Sequence, residues 1–186
     1  MNIMNADTLT GIPPSRRILV PRNLSLNQAG KCAQQILRLG ADGMQPLLVY
    51  PHAGSAGFKG IMTICDALAL CPAPTIGLAI GSLMNSGCSI LQACTTRVMS
   101  SFAQIALGDH SWSATVIFGP GQDLPTVYDE CVHAEFETLH RMQEETVNAL
   151  VSHSRLSRQT AAHLLNSETR LTAAQALELG LVDTVV

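Results

Sequence analysis

Apolar and polar positions along the chain alternate between two periods, a short continuous run and a helical spacing. Arg17 to Val20 (RILV) is a β-type run, and from Ala29 the apolar residues recur at helical spacing through Ala33, Ile36, Leu37 and Leu39. Ser25 and Gln28 precede that face as an S-x-x-Q capping box, in which each side chain satisfies the other residue's backbone N–H, and Gly40 closes it. Leu47 to Tyr50 (LLVY) predicts a buried strand that ends in the loop His52-Ala53-Gly54-Ser55-Ala56-Gly57. Phe58, Ile61, Met62, Cys65, Leu68 and Ala69 mark the next helix, stopped by Pro72 and Pro74, and Thr75 to Ile80 (TIGLAI) predicts a third buried strand.

A tight turn at Gly81 leads into helical composition over Ser86 to Cys94, and Arg97 to Met99 and Ala103 to Leu107 are further β runs. Gly108 to Pro125 is Gly- and Pro-containing and irregular, as expected of a surface loop or insertion. A long helix is predicted from about Thr126 to His153. Two short ones follow, the second opening with the capping box Thr172 to Gln175 and ending at Gly180, before a terminal strand over Leu181 to Val186. Strand and helix alternate from end to end, so the expected fold class is α/β, a mostly parallel sheet flanked by helices. Residues 1–15 are expected to be a flexible lead and 16–186 one domain.

Composition sharpens this picture. Only 13% of the 186 residues are charged, about half the ~25% usual in soluble proteins, which predicts that surface is buried against other subunits in a homo-oligomer. Eleven Lys and Arg against fourteen Asp and Glu, with no basic run, give no electrostatic footprint for nucleic acid or an anionic membrane. The six cysteines form no C-x-x-C pair and mostly take apolar positions, the usage of a reduced, cytoplasmic protein without a zinc site. No secretory signal is expected in the first fifteen residues, and the apolar stretch Pro74 to Met84 is too short to span a bilayer.

In an α/β chain the loops after strand C-terminal ends are where chemistry is sought. Two stand out: the loop His52 to Gly57, whose glycines let backbone N–H groups approach a ligand, and the turn GSLMNSG, Gly81 to Gly87, where a strand bends sharply into a helix. A polar side chain at that helix start lies in the positive end of the helix dipole, the setting of an acyl-transfer nucleophile and oxyanion hole. Asn85 or Ser86 as a plain N-cap is the alternative.

Taken in order, these features resemble the proteolytic subunit of the Clp protease, within the wider crotonase-like fold, over roughly Arg16 to Val186. PLLVY with its Gly loop and GIMTICDAL is similar to the family's strand, glycine loop and helix. PTIGLAIGSLMNSG resembles its nucleophile turn, G-x-x-x-S-x-G, and LTAAQALELGLVDTVV its C-terminal segment. The resemblance implies a long protruding handle helix, here Thr126 to His153, that packs against an opposing ring. It also implies a peptide substrate, no cofactor and an unfoldase partner, for whose docking hairpin the fifteen-residue lead is short.

Carried over residue by residue, the nucleophilic serine position falls on Asn85, whose carboxamide cannot form an acyl-enzyme; Ser86, one residue on, is the alternative nucleophile. The histidine position falls on Gly108 by the local strand pattern and on His110 by counting forward from the serine. The orienting aspartate becomes Glu168. The oxyanion loop becomes Ala53-Gly54-Ser55-Ala56, leaving Gly54 and Ser55, with the N–H of Ser86, as backbone donors. The first expectation is therefore a Clp-type homologue with impaired or lost serine endopeptidase activity, in a homo-oligomeric ring or a ring mixed with active subunits. The alternatives are an active peptidase using Ser86, His110 and Glu168, and a crotonase-like acyl-CoA enzyme.

Overall fold

The computed structural model describes residues 6–108 and 123–186; at Ser55, Ala56, Asn85, Leu124, Thr126, Val127, Glu130, Glu135 and Leu139 it describes the backbone path. Its centre is a five-stranded, wholly parallel sheet in the order β1 (Arg17–Val20), β3 (Leu47–Pro51), β5 (Thr75–Ala79), β7 (Thr96–Met99) and β10 (Thr184–Val185). Helices α2 (Leu26–Ala41), α3 (Phe58–Ala69) and α4 (Asn85–Gln92) make the crossovers between successive strands. Because the strand order advances in one direction, right-handed crossovers put all three helices on one face.

Side chains one residue apart on a buried strand point to opposite layers. Leu47 and Val49 pack with Ile36, Ile64 and Ile90 under these helices, whereas Leu48 packs with Ile76, Leu78 and Val98 on the other face. On that second face lies α1 (Ala6–Thr10), whose Leu9, with Ile12, is buried among the same residues. Residues 6–12, expected to belong to a flexible lead, thus pack on this face of the sheet. Two cations hold them: Arg17 donates from Nε to the Ile12 carbonyl at 2.9 Å and from Nη2 to the Thr10 carbonyl at 3.0 Å. The buried Arg16 guanidinium reaches the carbonyls of Gly43, Gln45 and Pro46.

Two smaller sheets stand at the C-terminal end of the main strands. β2 (Asn23–Leu24) pairs with β4 (Ser55–Ala56), and β8 (Gln104–Ala106) lies between β6 (Ser82–Met84), parallel, and β9 (Arg170–Thr172), antiparallel. Strand β6 lies within the expected turn Gly81 to Gly87, where the sequence predicts no strand, and α4 begins at Asn85, one residue before the expected Ser86. The terminal strand is also shorter than the expected Leu181 to Val186, because Leu181 and Val182 are spent filling the core.

The helix α5 (Leu124–His153) begins two residues before the expected Thr126, with Pro125 in its first turn, where a missing N–H costs nothing. Its thirty residues make a rod of about 45 Å at 1.5 Å rise per residue. Among the described residues from 123 to 146 none is buried, whereas Val147 and Leu150 enter the core, so the first two-thirds stand off the domain. Behind it come α6 (Arg158–Asn166) and α7 (Ala173–Glu178), and both expected capping boxes, Ser25 with Gln28 and Thr172 with Gln175, are formed. One charge cluster ties these pieces together: Arg97 on β7 pairs with Asp183 and also donates to the Gln92 side chain and to the carbonyls of His153 and Gly180. Among the described residues no helix is long and apolar enough to cross a membrane.

Candidate functional site

The turn after β5 is built on two glycines. Gly81 takes φ +69°, a left-handed conformation that disfavours a side chain, and lets the chain reverse into β6. Gly87, in the first turn of α4, lies so close to β3 that a Cβ would meet the Pro51 carbonyl oxygen at 2.2 Å and Leu83 Cδ1 at 2.6 Å. This contact fixes the N-terminus of α4 against the end of β3, where the loop His52 to Gly57 leaves the sheet. Gly54 in that loop donates its N–H to the Arg22 carbonyl at 2.9 Å, and a Cβ there would meet the Arg22 side chain at 3.2 Å and Met84 Sδ at 3.7 Å. Glycine loop and helix start thus lie side by side.

The residue capping α4 is Met84, in extended conformation with no side-chain hydrogen bond to the helix. Asn85 is the first helical residue and Ser86 the second, so neither is the N-cap. The end of the helix keeps its partial positive charge without a side chain of its own to neutralise it. Ser86 is half-buried and faces a groove; of Ser55, as of Asn85, the backbone alone is placed.

The three-stranded sheet supplies the opposite wall. Met84 on β6 is paired with Ala106 on β8, and Ala106 with Arg170 on β9. Beyond the β8–β9 pair the chains stay together, which brings Gly108 against Glu168. The Leu107 N–H donates to the Thr169 carbonyl at 2.8 Å, which keeps the last pair together. Gly108 has φ +101°, and a Cβ there would lie 2.6 Å from the Glu168 nitrogen, 2.6 Å from the Leu165 carbonyl oxygen and 2.7 Å from Glu168 Cα. Glu168 is itself left-handed, φ +47°, and exposed. His110 lies outside the described residues.

Chemically, the described part of this site offers one hydroxyl, one exposed carboxylate and the N–H groups of the α4 start; the Gly54 N–H, expected from the sequence to be a site donor, is instead engaged by the Arg22 carbonyl. Among the described residues no group of three or more His, Cys, Asp or Glu is placed to hold a metal. The nearby thiols are inert: burial pushes Cys65, Cys88 and Cys94 up to about 12, and all six cysteines are free. The sequence reading passed over Asp66 and Glu145, which line the same groove as Ser86. Both look like ordinary solvated helix charges until α3 and α5 are brought together.

Comparison with known proteins agrees with this architecture. A family model described as Clp protease matches residues 4–186. A solved structure of a ClpP1 mutant from Listeria monocytogenes superposes with a TM-score of 0.67 at 14% identity, covering 92% of this chain and 91% of that one. No curated protein matches the sequence.

Proposed function

Because this chain belongs to the Clp protease family, we propose that it is a homologue of the proteolytic subunit in which peptide hydrolysis is impaired or lost, and that its role is structural or regulatory in a cytoplasmic ring, homo-oligomeric or mixed with active subunits. The observation that carries this reading is the contact between Gly108 and Glu168. The family resemblance asks for a histidine between serine and acid, and Gly108, at that position by the strand pattern of the sequence, has no side chain and no room for one beside Glu168. A base is what turns a hydroxyl into a nucleophile at neutral pH. Asn85 at the serine position removes the hydroxyl as well. What remains is a backbone frame at the α4 start, whose N–H groups can hold a carbonyl oxygen without attacking its carbon.

The low charged fraction and the long stand-off of α5, which exposes Tyr128 and Phe136, support a ring partner. The test of the chemistry is labelling with a fluorophosphonate, which reports an activated serine, read by intact-mass and peptide spectrometry. The expected result is no adduct. Stoichiometric adduct at Ser86, lost in Ser86→Ala and in His110→Ala, would establish an active peptidase instead.

A further inference from the structure

A groove of about 710 Å³ runs from the candidate site between α3, α4 and the C-terminal half of α5. Gly54, Met84 and Ser86 are among its lining residues, so the groove includes the start of α4 and the glycine loop. Its walls carry Phe58 and Met62 from α3 and Met142 from α5, and methionine side chains adapt to varied apolar shapes. Beside it, β4 is paired on one edge by β2 and with no other described strand, which leaves backbone groups for an extended chain to meet.

The charge on the walls is one-sided. Asp66 on α3 and Glu145 on α5, both exposed, line the groove from its two sides, and among the described lining residues there is no Lys or Arg. The remaining titratable groups facing it are His153 and the thiols of Cys65, Cys71 and Cys94. Neither carboxylate has a described hydrogen-bond or ion-pair partner within the chain. An occupant that matches this surface is apolar along its length and positive at one point.

We propose that the groove holds an extended peptide segment in which a lysine or arginine is flanked by apolar side chains, its cation held by Asp66 and Glu145. The inference rests on the reading that the fold keeps a peptide site after losing its chemistry. It adds a selectivity that the backbone frame alone would not give, since N–H and carbonyl groups bind every sequence alike.

Fluorescence anisotropy with short, end-blocked, labelled peptides tests it, using the full chain and three sequences that alternate leucine with lysine, serine or glutamate. The lysine peptide is expected to bind about fivefold tighter than the serine peptide, the scale of two partly exposed ion pairs, and the glutamate peptide more weakly than either. In Asp66→Asn/Glu145→Gln, two exposed substitutions that leave the core untouched, the three affinities converge, as they do on raising salt. Equal affinities in the wild type, a preference unmoved by the double substitution, or no peptide binding would each overturn the proposal. So would an outcome in which the double variant weakens self-association instead, which assigns the groove to a second copy of the chain. Fluorophosphonate labelling of the same samples separates the two readings. An adduct together with an intact charge preference defeats the loss of hydrolysis alone, and no adduct with no preference defeats the groove proposal alone.

Discussion

Gly108 and Glu168 meet backbone to backbone at the end of the β8–β9 pair, with the Gly108 Cβ direction blocked 2.6 Å away by the Glu168 nitrogen and both residues in left-handed conformation. The atoms in the way are main chain, which cannot rotate aside as a side chain could. Gly108→Ala should therefore destabilise the fold by about 2–4 kcal/mol, from left-handed strain and from displaced backbone. Urea denaturation reads this as a lower midpoint at unchanged slope. A midpoint within error of the wild type would show that the β9 turn can open to admit a side chain.

The same contact limits repair of the site. Asn85→Ser should remain unlabelled by a fluorophosphonate, because the new hydroxyl still has no base, and Asn85→Ser/Gly108→His should lose stability without gaining an adduct. Labelling of the double variant at residue 85 would mean that the loop yields to the imidazole.

Arg97 and Asp183 give a prediction in pH. Burial raises the Asp183 carboxyl, but the side-chain and backbone hydrogen bonds from Arg97 and its charge outweigh this and hold it below the usual carboxylate range. A group depressed in the folded state contributes stability above its unfolded value, near 3.8, and loses that contribution as pH falls through the folded value. Asp183→Asn should thus be less stable than wild type at neutral pH, and the gap should narrow below about pH 4. Arg97→Ala should cost about 2 kcal/mol or more, since it leaves the Gln92 oxygen and two carbonyls without their donor and Asp183 with the backbone N–H of residue 97 alone. Thermal melts across the acid range check both.

Leu9 and Ile12 are buried against the central sheet. Leu9→Ala should cost about 2–3 kcal/mol, as expected for emptying a small core site, and removal of residues 1–12 should cost more. A truncated chain with an unchanged melting temperature would return this segment to the status of a lead.

Thiol reactivity should divide the cysteines. At pH 8 the native chain should protect Cys65, Cys88 and Cys94, whose thiols burial pushes up to about 12, from an aromatic disulfide reagent, and all six should react in urea. Rapid native modification of Cys94, which lines the groove, would show that the groove floor opens.

The elements of this fold were legible because local rules determine them. The apolar spacing of Ile18, Val49, Ile36 and Ile64, the boxes at Ser25 and Thr172, and the glycine stops fix where strands and helices begin and end, whatever lies next to them. Leu9 and Ile12 escaped notice because two apolar residues carry no period, and their place is decided by a sheet face built from residues far along the chain. Between Gly108 and His110 the sequence could not choose, since a count along the chain and a strand pattern gave different answers. That Gly108 meets Glu168 follows from the pairing of β8 with β9, because register is set by partners on other strands and not by neighbours in sequence. The acid-rimmed groove is likewise tertiary: Asp66 and Glu145 are seventy-nine residues apart, and only the packing of α5 beside α4 sets them on one cavity.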